Sequence, residues 1–253
     1  LIVTFFQKIL TCDLDNPPNP SAPDVKYELD YVYGYRCADT RQNIFYNTNG
    51  EAVYMTADLG VILNFSSNTQ KFFGGGQVAN TAKNVANDEE GHTDDLMALQ
   101  VSTDRKTCVS GQVGPSPAVF VWDSVTGQKK ARAKLTKGAR GVNAVAISGD
   151  GSLFAVVDLN DNHNVYLYDA HTAQLKGQEK GDTNKIFDIA FSAAPGDNSF
   201  CTVGSKHCYF WDTNMKKDKG LYMGKGDASS FACVAYDDKG TAYTGAVNSS
   251  IYV

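Results

Sequence analysis

The chain has 253 residues, 42% hydrophobic and 20% charged, with a formal net charge of −5. That length and balance suffice for a globular core and speak against a disordered or membrane-dissolved chain as the overall class. The acidic balance argues against a general nucleic-acid binder, which would carry a basic excess, although a local basic face can still dock on an acidic surface.

In chain order, residues 1–10 (LIVTFFQKIL) are apolar but too short to span a bilayer, and Gln7 and Lys8 interrupt them. No initiator Met or cleavage site marks a signal peptide. The chain also stops at Ile251-Tyr252-Val253 inside a strand pattern, so both ends predict a longer parent protein. The proline-rich stretch 15–23 reads as a linker, giving an amino-terminal extension over 1–26. An aromatic segment follows, with Tyr31, Tyr33, Gly34, Tyr35 and Arg36, then Asp39, Arg41, Asn43 and Tyr46. Its rings are expected to bury against a neighbouring sheet, at roughly 1.5–3 kcal/mol for each one fully buried. A turn at Asn49-Gly50 and apolar alternation over 52–56 and 60–65 predict the first strands, closing a unit at 27–73. Residues 74–90 open on three glycines and are polar, which predicts a surface loop. They fail as a phosphate loop, because no Gly-Lys-Ser/Thr follows and no helix pattern opens there.

Beyond residue 90 the sequence repeats. Val121-Trp122-Asp123, Leu167-Tyr168-Asp169 and Phe210-Trp211-Asp212 are three apolar–aromatic–Asp endings, spaced 46 and 43 residues apart at the ring. Gly91-His92, Gly138-Ala139, Gly181-Asp182 and Gly226-Asp227 open the units at intervals of 47, 43 and 45. Within each unit, short period-two runs alternate with Gly/Asn/Asp turns, as in antiparallel meanders. Two landmarks in step predict an all-β fold, a β-propeller whose Gly-His and Trp-Asp marks resemble the WD-repeat type, incomplete at about four to five blades of a larger protein. The units fall at 91–137, 138–180 and 181–225, with a partial one at 226–253. A β-sandwich is the competing architecture, and it would not keep such a period.

In WD-repeat blades a His, a Ser or Thr, a turn Asp and the Trp share a hydrogen-bonded network. Here His92, Ser110 and Trp122 are present, but no Asp fills the turn at 111–117, and later units replace His with Ala139 or Asp182. His92 therefore reads as structural. The six cysteines (12, 37, 108, 201, 208 and 233) lack CxxC spacing and read as reduced thiols rather than a disulfide framework. The four histidines lack paired ligand spacing, so no metal or cofactor is expected.

YVYGYRCADTRQNIFY, followed by GEAVY and GVILN, resembles the hydrophobic HELP motif of the echinoderm microtubule-associated protein-like family. The similarity continues through Gly91-His92, Trp122-Asp123, residues 161–163, 203–207 and Trp211, covering roughly 27–253. The resemblance implies a pair of packed propellers and a non-catalytic scaffold on the microtubule lattice. Tubulin is the implied partner, other axonemal proteins extend the list, and neither nucleic acid nor membrane is on it. The setting is cytoplasm and cytoskeleton, with the ciliary axoneme as the narrower case. Candidate basic contacts for the acidic microtubule wall are Lys129, Lys130, Arg132, Lys134, Lys137 and Arg140, with Lys216, Lys217 and Lys219 as a second group. Solvated surface is the ordinary role of such tracts. A generic adaptor propeller of a ligase, trafficking or signalling complex is the alternative function, disfavoured by the aromatic segment. An enzyme would need a nucleophile, His and carboxylate in one pocket, which the pattern does not offer.

Overall fold

The structure is a computed structural model that describes residues 29–74, 90–220 and 229–253. The linker, Cys12, most of the 74–90 loop and the Gly226-Asp227 opening lie outside the described residues. The chain divides into a unit Leu1–Asp30 and a compact unit Tyr31–Val253, and all nineteen described strands belong to the second.

The strands form five antiparallel sheets. The first holds β1 (Ile44–Tyr46), β2 (Ala52–Thr56), β3 (Leu59–Asn64) and β4 (Thr69–Phe73). The second holds β5 (Leu96–Val101), β6 (Thr107–Gln112), β7 (Ala118–Asp123) and β8 (Lys129–Lys134). In the third are β9 (Val142–Ile147), β10 (Leu153–Asp158), β11 (Val165–Asp169) and β12 (Leu175–Glu179). The fourth contains β13 (Ile186–Phe191), β14 (Phe200–Gly204), β15 (His207–Trp211) and β16 (Lys217–Lys219). The last is three-stranded, with β17 (Phe231–Tyr236), β18 (Ala242–Ala246) and β19 (Ile251–Tyr252). Within each sheet the strands pair in sequence order, and the first strands β1, β5, β9, β13 and β17 pack one against the next. Five meander blades around a common axis make an incomplete β-propeller.

Short turns dictate the meanders, and the recurring Asp explains one of them. Asp123 Oδ1 accepts from the backbone N–H of Val125 and Thr126 at 3.0 and 2.9 Å. Asp169 does the same for His171 and Thr172, and Asp212 for Asn214 and Lys216. The Asp of each aromatic–Asp mark is thus a turn cap, which is why it recurs while the ring before it varies.

The core lies between sheets. In β7, Phe120 and Trp122 face the first sheet, beside Phe73 and Ile62, while Val119 and Val121 face the third sheet. Both faces are buried, so the strand reads as a continuous apolar run. Trp122 stacks on Phe73 with ring centroids 5.1 Å apart, and a side chain at Gly60 would bring a Cβ to 2.7 Å from the indole. Glycine at 60 is therefore what lets the two sheets close on the ring.

The outer face of the first sheet carries a cluster of Ala52, Tyr54, Leu59 and Val61, against which Val32 of the aromatic segment packs. The expected burial of that segment's rings needs correction here. Tyr33 is 89% exposed and Tyr46 57%, with Tyr35 also exposed. An extended strap turns only alternate side chains inward, and Val32 takes the inward position.

One irregularity repeats without a sequence signature. Pairing skips one residue near the start of β5, β9, β13 and β17, leaving Met97, Asn143, Phe187 and Ala232 opposite no partner. Four equivalent β-bulges therefore sit on the inner strands.

Candidate functional site

Among the described residues, three neighbourhoods carry the polar chemistry considered for function. The first lies inside the second sheet. His92, Ser110 and Trp122 are fully buried. Trp122 Nε1 donates to Ser110 Oγ at 2.9 Å, and His92 Nε2 lies 2.7 Å from the same oxygen. An indole N–H can only donate, so the Ser110 hydroxyl hydrogen is left to donate to His92 Nε2. The imidazole proton is then on Nδ1, donating to Gln112 Oε1 at 2.8 Å. Burial holds the His92 pKa down to about 4, against the opposing pull of Gln112. A neutral, fully bonded histidine inside a sheet is a structural element. Gln112, which sequence reading passed over, fills the place left by the missing turn Asp, and its Nε2 also donates to Thr93 Oγ1 at 3.1 Å.

The later sheets solve the same problem with other residues. In the third, Tyr168 stacks on Phe154 at 5.0 Å, and Asp158 accepts from the Tyr166 hydroxyl at 2.7 Å. In the fourth, Trp211 Nε1 donates to Thr202 Oγ1 at 2.8 Å. Asp182, standing where His is expected, accepts from the Tyr209 hydroxyl at 2.9 Å.

The second neighbourhood is the aromatic segment, which works as a strap. Arg36 donates from Nε and Nη2 to Asp39 at 2.9 and 2.7 Å, and from Nη1 to Asp95, directly before β5 of the second sheet, at 2.8 Å. Asp39 is held below its usual pKa, chiefly by the Arg36 hydrogen bond. Asn43 Nδ2 donates to Arg36 O and to Thr40 Oγ1, both at 2.7 Å, and the Tyr35 hydroxyl donates to Asn43 Oδ1. Gln70 clasps the backbone of Val32, accepting from its N–H at 2.8 Å and donating to its carbonyl at 3.1 Å. Gly34 has φ +130°, a conformation that disfavours other residues.

The strap then crosses toward the far blades. Gln42 Nε2 donates to the Asp188 carboxylate at 3.2 Å, and Arg41 donates from Nη1 to the carbonyl of bulged Ala232. The Arg41 guanidinium also lies over bulged Phe187, 5.6 Å from its centroid. Asp188 accepts from the backbone N–H of Val234 at 3.0 Å and of Ile189 at 2.9 Å. Burial nonetheless pushes its pKa up to about 6. Under the strap is a cavity of roughly 260 Å³ between residues 39–42 and the inner strands β5, β9 and β13.

The third neighbourhood is the outer strands β8 and β16 with the residues flanking them, where the candidate basic contacts lie. They do not form one patch, because β8 and β16 belong to different sheets with the third sheet between them. Lys129 pairs with Glu90 at 3.1 Å, Lys130 with Asp123 at 3.2 Å, Arg140 with Asp161 at 2.7 Å and Lys216 with Asp218 at 3.9 Å. Lys134, Lys137 and Lys219 are exposed. Two residues turn inward instead. The Arg132 guanidinium lies over Phe120, and Lys217 lies over Tyr209 while donating to the carbonyls of Lys180 and Gly181. Both are half-buried, because a long cationic side chain on an edge strand can cover the aromatic ring beneath it. Among the described residues no group of three His, Cys, Asp or Glu is placed to hold a metal, and the described cysteines are free thiols.

Residues 22–61 match the HELP motif, and residues 90–253 match the echinoderm microtubule-associated protein first beta-propeller. The chain belongs to the echinoderm microtubule-associated protein-like family. Among its relatives, the ciliary WD repeat-containing protein ctxp80 of Euplotoides octocarinatus is 46% identical over 241 residues, which is 94% of this chain and 34% of that protein. Mouse echinoderm microtubule-associated protein-like 1 is 30% identical over 246 residues, 91% of this chain and 28% of the relative. Human echinoderm microtubule-associated protein-like 4 is 28% identical over 250 residues, 92% of the chain and 24% of the relative. The chain therefore spans about a third or less of the length of these family members. Within the family fold, the strap described above is the HELP motif, and the bulged inner strands belong to the first propeller.

Proposed function

We propose that this chain is part of a non-catalytic, microtubule-associated scaffold that binds the tubulin lattice through its propeller surfaces. The setting we propose is the cytoskeleton, including the doublet microtubules of cilia, where other axonemal proteins would be further partners. The observation that carries the reading is the HELP strap, bonded to the second, fourth and fifth sheets, so that motif and propeller form one unit. The relatives named for microtubules, and the one named for cilia, are similar to this chain over more than nine-tenths of its length. In this reading, 27–73, 91–137, 138–180, 181–225 and 226–253 are successive blades, 74–90 is a surface loop and 1–26 leads in.

Contact with an acidic lattice falls to the lysines of the outer strands. Lysine on an edge strand also blocks edge-to-edge pairing, so their presence has a second cause. Reversal separates the two roles. Changing Lys130, Lys134, Lys137, Lys216 and Lys219 to Glu keeps the edges charged while inverting the field. Arg132 and Lys217 are left intact because they pack on rings. The expected result is loss of co-sedimentation with microtubules at low and moderate salt, with an unchanged far-ultraviolet circular dichroism spectrum. Unaltered co-sedimentation would remove the outer strands from the contact.

A further inference from the structure

The cavity beneath the strap has two kinds of wall. Met97, Leu99, Val145 and Phe187 give it apolar surface, and Arg41 and Lys185 bring positive charge. Its own carboxylates are already engaged, Asp39 by the Arg36 fork and Asp188 by Gln42 and two backbone N–H groups. Arg41 and Lys185 make no ion pair among the described residues. Arg41 is also fixed in place, because its Nη1 is tied to the Ala232 carbonyl and its plane rests over Phe187. Its remaining N–H groups are therefore presented in a set direction, which lowers the ordering cost of binding an anion.

Such a pocket selects among ligands. An inorganic anion would leave the apolar walls uncovered, and an aliphatic side chain would leave Lys185 unanswered and Arg41 offset only by the nearby Asp188. A carboxylate on a short methylene stem satisfies both walls at once. We propose that the axial cavity binds a glutamate side chain of an acidic peptide, with its carboxylate held by Arg41 and Lys185. The bulges of β5 and β13 build the site, since the bulged residues Met97 and Phe187 both line the cavity. This inference does not depend on the outer-strand lysines, none of which lines the cavity.

The test is a titration of the 253-residue chain into fluorescein-labelled hexaglutamate at low salt, followed by anisotropy. The expected result is saturable binding that is absent with hexaglutamine. Lys185→Ala should weaken it about tenfold, the equivalent of one charge-assisted contact, and Arg41→Ala at least as much. Lys185 is exposed and its side chain makes no hydrogen bond among the described residues, so its removal leaves the fold in place. Exposed Lys239, on a turn of the fifth sheet, is the control, and Lys239→Ala should bind like the parent. The proposal is overturned by absence of saturable binding, by Lys185→Ala binding like the parent, or by equal weakening from Lys239→Ala. It is also overturned if inorganic phosphate competes as well as hexaglutamate does, since that marks a plain anion site. Hexaglutamate binding that survives reversal of the outer-strand lysines, with co-sedimentation lost, would uphold it separately from the lattice contact.

Discussion

Removing the Ser110 hydroxyl should destabilise the second sheet more than its small size suggests. In Ser110→Ala two buried polar atoms lose their partner together, the Trp122 indole N–H and His92 Nε2, which lie 2.9 and 2.7 Å from Ser110 Oγ. One missing hydroxyl leaves less room than a water molecule occupies, so solvent does not take its place. Each orphaned group costs about 1–3 kcal/mol, so the variant should lose about 2–6 kcal/mol. That is a large part of the roughly 5–15 kcal/mol that holds an ordinary domain folded. The fourth sheet supplies an internal comparison. Thr202→Val is nearly isosteric and strands only the Trp211 N–H, 2.8 Å from Thr202 Oγ1, so it should cost about 1–3 kcal/mol. Urea unfolding followed by far-ultraviolet circular dichroism measures both variants against the parent. If Ser110→Ala costs no more than Thr202→Val, the shared-acceptor account of this network is wrong.

Two buried groups should give pH dependences of opposite sign. His92 has its folded pKa lowered to about 4 from 6.5, so stability falls as pH drops from about 6.5 toward 4, because only the unfolded chain takes up the proton. Between pH 7 and 4.5 this is worth about 2–3 kcal/mol, and the urea midpoint of His92→Gln should lose that part of the acid sensitivity. Asp188 has its folded pKa raised to about 6 from 3.8, so it adds stability in acid that is lost as pH rises through 6. Asp188→Asn should therefore gain about 1 kcal/mol on the parent when pH moves from 5 to 7.5. A parent–variant difference that stays flat over that interval would show that the carboxylate is not the titrating group.

Much of the fold could be read along the chain because its causes are local. The period near 45 residues survives divergence through the turn caps Asp123, Asp169 and Asp212, each bonded to backbone two to four residues on. Strand alternation likewise follows from which neighbouring sheet each side chain meets. The network around His92 was only half legible. Gln112 is chemically able to replace an Asp as acceptor, but nothing in a glutamine's position says that it faces inward. The exposure of Tyr33 and Tyr46 is hidden for a related reason: Tyr33 lies on an extended strap outside the sheets, and Tyr46 ends the edge strand β1 on its exposed side, directions that aromatic content does not record.

The candidate surfaces were harder still. The two basic groups read in sequence fall around β8 and β16, in separate sheets, but sequence gives no sign that Arg132 and Lys217 within them fold over rings. Conversely, Arg41 and Ala232 lie 191 positions apart and share a hydrogen bond, and Gln42 reaches Asp188 across 146. The sequence alone determined the repeat, the turns and the order of the motifs, all set by contacts within a few residues. Only the tertiary structure decided where the strap lies and what the inner bulges face. Those are fixed by closing the blades around an axis, and no local preference records that closure.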